Sequence, residues 1–334
     1  MPRGPRLDAP ETLHHVMVRG IERRAIFREE RDRADFVRRL AALAEAGALT
    51  VYAWALLPNH AHLLVRTGTR PLARTMRALL TGYAGAFNRR HRRAGQLFQN
   101  RYTSIVVEEA PYFLELVRYL HLNPLRAGRV ADLRALDRYP WTGHAGLMGR
   151  RAAAWQDTRA VLARFASGLR RARARYRAFV AQGAGQGRRR ELQGGGLVRS
   201  AGGWAAVRAL RRGRAAVAGD ARVLGRPAFV TALHHAVEAA TAARARWRRV
   251  TRAALVQAVC RAVGVTPDAI AGGGRVPAVS QARAGIAFLW VEVLGRSGRQ
   301  LATALGVRPE SVYKAAKRGG GATDRWRRLL ARLA

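Results

Sequence analysis

Cysteine is almost missing: Cys260 stands alone, so no intramolecular disulfide can form and no thiolate cluster can hold a metal. That fits an intracellular life. Lysine is nearly as scarce, with only Lys314 and Lys317. Acidic residues number 21 against 61 basic ones, and the 334-residue chain carries a formal net charge of +40. Long apolar runs are absent too. No stretch approaches the roughly 20 apolar residues of a membrane span, and the opening MPRGPRLDAP lacks the apolar core of a signal peptide. These absences predict a soluble, cytoplasmic protein with no membrane partner. GC-rich coding, visible in the abundance of Ala, Gly and Arg, inflates the arginine count but does not account for the shortage of Asp and Glu. The charge far exceeds what solubility requires, and phosphate neutralisation with counterion release makes nucleic acid the expected partner.

What is present is enough to fold. Hydrophobic residues make up 49% of the chain, ample for the cores of two modest domains. Leu13 to Arg19 is a short β-branched and apolar run that stops at Gly20, and reads as a first strand. From Asp32 to Ala46, Phe36, Val37, Leu40, Leu43 and Ala44 recur at helical spacing before Gly47 ends the run. Strands follow at Leu49 to Leu57 and Ala61 to Arg66, parted by Pro58 and Asn59 as by a turn or bulge. Leu72 to Arg90 reads as a helix, Tyr102 to Val107 as a strand and Pro111 to Leu122 as a helix with proline in its first turn. The order β-α-β-β-α-β-α predicts an α+β fold, a ferredoxin-like antiparallel sheet with helices.

Past about residue 150 the pattern changes. Arg170 to Arg177 and Arg188 to Arg190 are charge runs, and eight glycines fall between Gly183 and Gly203, which reads as a tether or insertion. Pro227 to Ala243 and Arg252 to Val263 read as helices, and the last 55 residues as a compact helical unit. The expected organisation is a first domain over 1–150, an Arg/Gly-rich linker and helical segment over 151–250, and an all-α helix-turn-helix domain over 251–334.

Two sets of residues carry candidate chemistry. His60 and His62 are two apart, and on a strand that spacing turns both imidazoles to one face, where two neutral nitrogens can grip a divalent cation and leave positions open for phosphate and water. Set against this, a His-x-His pair on a strand can be surface decoration. Tyr119 and Asn123 are four apart and would share one helical face. A phenol needs a polarised electrophile to act as a nucleophile, and the amide beside it could complete a metal's ligand set. The competing readings are a core tyrosine with a bonded hydroxyl and, for Asn123 before Pro124, turn chemistry. Tyr83 and Tyr102 are rival nucleophiles that read better as packing or DNA contacts.

His15-Val16-Met17-Val18-Arg19-Gly20, Leu57-Pro58-Asn59-His60-Ala61-His62-Leu63-Leu64-Val65, Phe87-Asn88-Arg89-Arg90-His91, Gly95-Gln96-Leu97-Phe98-Gln99-Asn100-Arg101-Tyr102 and Tyr119-Leu120-His121-Leu122-Asn123-Pro124 together resemble the REP-associated tyrosine transposases. These are IS200-like members of the single-tyrosine HUH transposase superfamily. The resemblance covers roughly residues 10 to 145, with the motifs in family order. It implies the HUH nuclease fold, with His60 and His62 as metal ligands and Asn123 where the family's third ligand sits. It also implies that Tyr119 attacks a DNA phosphate, forming a 5′-phosphotyrosine link and freeing a 3′-hydroxyl, with Mg²⁺ or Mn²⁺ as the metal. Mixed imidazole and amide ligation suits Mn²⁺ better. Arg19, Asn88, Arg89, Arg90, Arg92, Arg93, Phe98 and Arg101 combine guanidinium groups with an aromatic face, which suits a single strand or hairpin.

Ser297 to Arg318 reads as a helix-turn-helix. Ser297 and Gln300 form a capping box, Gly306 marks the turn and Pro309 opens the second helix. Arg308, Ser311, Tyr313, Lys314 and Lys317 would then be available to duplex DNA. With Ser280 to Trp290, the unit resembles the C-terminal DNA-binding domain of the replication initiator DnaA. The initiator's box-reading stretch is not reproduced at Arg308 to Val312, and a helical bundle used only for packing is the competing reading. The function expected from the whole is a metal-dependent single-stranded DNA endonuclease and strand transferase acting on hairpin-bearing DNA. A catalytically inactive DNA-binding regulator is the alternative. An RNA-binding module ranks last because no RNP-like aromatic motif is visible.

Overall fold

The computed structural model describes residues 7–68, 70–187, 192, 219–271 and 276–333. They fall into two compact units, Met1–His235 and Ala236–Ala334. The first opens with β1 (Leu13–Arg19), α1 (Glu30–Glu45), β2 (Leu49–Leu57), β3 (His60–Thr67), α2 (Leu72–Arg90), β4 (Thr103–Val107) and α3 (Glu109–Arg126). Pro58 and Asn59 make the tight turn between β2 and β3, so that Leu57 pairs with His60 and β3 begins one residue earlier than its apolar run suggests. β2, β3, β1 and β4 lie side by side in that order, all antiparallel, which is the ferredoxin-like arrangement expected. A fifth strand makes the sheet mixed. β5 (Val223–Leu224) joins the outer edge of β4 in parallel, and Arg226 just beyond it is held by the Glu108 carboxylate at the head of α3.

Both faces of the sheet are covered, which is why its strands are apolar almost throughout rather than alternating. On one face, α1 and α2 bring Phe36, Leu40, Met76, Tyr83 and Phe87 against Val16, Val18, Trp54, Leu56, Leu63 and Val65. On the other, α3 brings Phe113, Leu116, Val117 and Leu120 against Leu13, Ala53, Leu64 and Ile105. A bulge between Val51 and Ala53 lets Tyr52 join Ala53 on the α3 side.

α4 (Leu133–Arg138), α5 (His144–Leu147), α6 (Thr158–Leu162) and α7 (Leu169–Gln182) follow. The charge run at Arg170 to Arg177 is a helix and not a tether. Ala172, Tyr176 and Val180 recur every four residues and are buried with α3, while the arginines between them mostly face solvent. The outer edge of β2 is occupied by the segment that carries α5 and α6. Trp54 O accepts from Gly143 N at 2.8 Å, Leu56 N donates to Trp141 O at 2.9 Å, and Asp157 N donates to Val51 O at 2.8 Å. Arg188 to Arg190 and most of the glycine-rich stretch lie outside the described residues.

The division between the units falls within α8 (Pro227–Trp247). The second unit is helical: α9 (Arg252–Val263), α10 (Pro277–Ala287), a wide-turned continuation over Phe288–Val293, α11 (Gly298–Leu305), α12 (Pro309–Gly319) and α13 (Thr323–Leu333). Its core gathers Leu255, Val259, Ile286, Leu289, Leu301, Val312 and Trp326. α11 and α12 are joined by three residues, with left-handed Gly306 closing the first helix and Pro309 opening the second. Ser297 Oγ accepts from Gln300 N at 3.4 Å, the forward half of the capping box expected there. No helix among the described residues is long and apolar enough to cross a membrane.

Candidate active site

Strand alternation decides which side chains can meet. Leu13, His15, Met17 and Arg19 share one face of β1, and their partners across the ladder are Arg66, Leu64, His62 and His60 of β3. This is the face that α3 covers. His62 and His15 are diagonal neighbours, close enough for His15 Nε2 and His62 Nδ1 to lie 3.0 Å apart with their rings stacked at 5.2 Å between centroids. His60 stands next along β3, its ring 5.0 Å from that of His62 and at 79° to it. α3 lays Tyr119 over the same spot, 6.2 Å from the His62 ring and 6.3 Å from that of His15. His15, His62 and Tyr119 are each only 4% exposed.

The helix that carries Tyr119 does not stop where expected. α3 runs through Pro124 to Arg126, so Asn123 is helical rather than part of a turn. Pro124 lacks the N–H that would bond to Leu120 O, and packing of the buried face of α3 carries the helix past it. Tyr119 and Asn123 therefore sit one turn apart. Arg126, two turns on from Tyr119, places its guanidinium 5.4 Å from the phenol ring and donates to Gly183 O at 3.2 Å.

Whether these residues suit a divalent cation can be read from what occupies their other polar atoms. His60 Nδ1 lies 2.7 Å from Asn59 Oδ1. An amide oxygen only accepts, so the proton belongs on Nδ1 and the lone pair on Nε2. His62 likewise has its Nδ1 engaged, by His15. His60 thus turns Nε2 to ligand duty, whereas the contact between two imidazoles at His62 is compatible with either tautomer. The Asn123 Nδ2 is buried without a hydrogen-bond partner among the described residues; as an N–H donor it cannot face a cation, and only the amide Oδ1 could serve as a ligand. The two imidazoles have the donor chemistry of divalent-cation ligands, and His60, His62 and the Asn123 oxygen are the residues that would hold such an ion. Burial lowers the His15 imidazole to about 4, against the raising effect of the Leu192 backbone.

A second cluster, Glu29, Asp32 and His91, also brings potential ligands together, but it fits a cation poorly. Asp32 is fully buried and already accepts from His91, Arg90 and the backbone of Arg28 and Glu29. Burial alone would raise its carboxyl, yet those hydrogen bonds hold it below the ordinary carboxylate value. Here Asp32 caps α1 and ties it to the end of α2.

The other expected residues separate into available and committed ones. Tyr83 and Tyr102 belong to the core on the opposite face of the sheet, and the Tyr83 hydroxyl donates to Ile26 O, so neither can meet the histidines. Arg90 is taken by Asp32. Asn88 and Arg93 bond each other and close the loop after α2 through Gly95 O and Gln96 O, and Phe98 packs against Tyr83. Arg89, Arg92 and Arg101 remain exposed. Arg19 is half-buried and opposite His60 in the ladder, beside the candidate ligands. On α12 and at its head, Arg308, Ser311, Tyr313, Lys314 and Lys317 are all exposed. His15 was not among the expected site residues.

Residues 10–123 match the family model described as "Transposase IS200 like"; this segment carries the IS200-like transposase pattern. No curated protein matches the chain. A solved structure described as the REP-associated tyrosine transposase bound to a REP hairpin is similar at 16% identity and a TM-score of 0.38, covering 47% of this chain and 94% of that one.

Proposed function

We propose that the protein is a metal-dependent endonuclease and strand transferase for hairpin-bearing single-stranded DNA, with Tyr119 as nucleophile. The observation that carries this reading is the convergence of His60 and His62 from β3 with Tyr119 from α3 on one face of the sheet. A bound Mg²⁺ or Mn²⁺ would polarise the scissile phosphate. The Tyr119 oxygen bonds to phosphorus as the bond to the 3′-oxygen breaks. The phenol gives up one proton and the departing 3′-oxygen takes one, so the products are a 5′-phosphotyrosine and a free 3′-hydroxyl. One phosphodiester replaces another, and a 3′-hydroxyl attacking the link reverses the exchange and rejoins DNA. Asn123, from the same helix, would complete the ligand set with its Oδ1. Arg19, Arg89, Arg92 and Arg101 neutralise the phosphates of the strand, and the exposed face of α12 supplies a second hold, on duplex DNA.

The test is incubation of the full chain with labelled hairpin DNA and Mn²⁺, followed by denaturing electrophoresis. A denaturation-resistant adduct should form and should vanish in Tyr119→Phe and with chelator. An adduct unchanged in Tyr119→Phe would remove Tyr119 from its role. Burial of Tyr119 and His62 favours a second reading, a regulator that holds hairpins without cutting them. Salt-sensitive, metal-independent binding with no adduct across a panel of hairpins would establish it.

A further inference from the structure

We propose that His15 is a positioning residue that selects the metal-binding tautomer of His62 by accepting its Nδ1 proton in a hydrogen bond. The inference rests on the functional reading above for the identity of the cation site. Its warrant is the 3.0 Å contact between His15 Nε2 and His62 Nδ1, which allows only two arrangements of protons. In one, His15 Nε2 carries the hydrogen and donates it to His62 Nδ1; His62 is then protonated on Nε2, and that nitrogen has no lone pair for a cation. In the other, His62 Nδ1 donates to His15 Nε2, and the His62 Nε2 lone pair is available. Only the second supports ligation.

In the accepting arrangement the His15 proton sits on Nδ1, a buried nitrogen with no hydrogen bond of good geometry among the described residues, so the Nε2 contact with His62 is what orients the ring. His15 is buried on β1, between Leu64 of β3 and Ile105 of β4 in the ladders, and its ring lies 6.3 Å from that of Tyr119 on α3. Asn59 plays the same part for His60 with a group that can only accept. The two ligands are therefore oriented by different means, one by its chain neighbour and the other by a residue 47 positions away on an adjoining strand.

The experiment uses the metal-free full chain and Mn²⁺ alone as probe, read by the loss of the free Mn²⁺ paramagnetic resonance signal. Mn²⁺ binding by the wild-type chain should disappear in a His60→Ala, His62→Ala double variant. His15→Phe, which keeps a ring but offers no acceptor, should weaken Mn²⁺ binding by about 10- to 100-fold. His15→Gln, whose Oε1 reaches near the place of Nε2, should stay within about threefold of wild type. Long-range ¹⁵N–¹H spectra of the metal-free chain should show His62 protonated on Nδ1 in the wild type and shifted towards Nε2 in His15→Phe, a change that packing alone would not cause. Where His15→Phe does not fold, His15→Asn against His15→Gln makes the comparison, since the shorter amide cannot reach His62. Equal Mn²⁺ affinity in His15→Phe and wild type, or in His15→Asn and His15→Gln, overturns the inference while leaving the cation site intact. Wild-type affinity equal to that of the double histidine variant instead overturns the functional reading, and the inference with it.

Discussion

His14 and His15 are adjacent on β1, and alternation sends them to opposite faces of the sheet. His14 is bonded through Nδ1 to Ser104 Oγ at 2.9 Å and through Nε2 to Thr12 Oγ1 at 2.8 Å. Burial lowers its ring from 6.5 to about 3. The unfolded chain would take up a proton near 6.5 while the folded chain refuses it. Acid therefore favours unfolding, and stability falls as the pH drops from about 6.5 towards about 3. Between pH 7.5 and 4.5 this one group should cost about 3 kcal/mol. Urea unfolding at the two values should show the loss, and His14→Gln, which keeps polar partners without titrating, should be less acid-sensitive by about that amount. An equal acid loss in the variant would move the effect elsewhere. The His-x-His pair and Tyr119 were legible as residue types at telling spacings. His15 was not, because its meeting with His62 depends on which strands pair and in what register, and no spacing within β1 encodes that.

Among the elements, α3 bears the most. One side lays Tyr119 on the histidines, and the other is fastened by a buried chain of polar groups. His121 Nδ1 and His144 Nδ1 both bond the Tyr176 hydroxyl, at 2.8 and 2.6 Å, and His144 Nε2 bonds Asp137, which Arg177 pairs from outside. A hydroxyl has one proton to give, so one histidine accepts from Tyr176 and the other donates to it. α5 and α7 thereby hold the helix behind Tyr119. The extents of β1, β2, α2 and α9 follow directly from apolar periodicity ending at Gly, Pro or charge. α3 outran its expected end because tertiary packing overrides the proline signal. α7 was misread because its three buried residues are small in number beside the arginines that surround them. In the second unit, α12 meets α10 with no room to spare: a Cβ at Gly319 would lie 2.2 Å from Ala284 O, a backbone atom that cannot move aside. Gly319→Ala should therefore lower the unfolding free energy of this unit by about 1–3 kcal/mol or more. Thermal melts read by near-ultraviolet dichroism of Trp290 and Trp326 would reveal it, and an unchanged melt would mean the two helices can part at little cost.

For the whole molecule the dominant property is charge. With +40 on the chain, nucleic-acid affinity should fall steeply with salt, by about 0.9 in logarithmic slope per neutralised phosphate of duplex DNA. The only two lysines, Lys314 and Lys317, are exposed on α12. Replacing both by alanine should reduce the slope for duplex DNA by up to about 2 and leave hairpin binding at the first unit unaltered. Fluorescence anisotropy over a salt series would measure both, and an unchanged duplex slope would take α12 out of the interface.

The outer flanks of β2 and β4 bear on how copies of the chain can associate. An open β edge is a template on which a second molecule can add a strand, the route to merged-sheet dimers, domain swapping and fibres. Here the β4 edge is met by β5 and the β2 edge by backbone bonds from Trp141, Gly143 and Asp157. The donors and acceptors that would zip two sheets together are spent at home over these stretches. Over these stretches, copies of the chain would have to meet through helices or side chains rather than by adding strands.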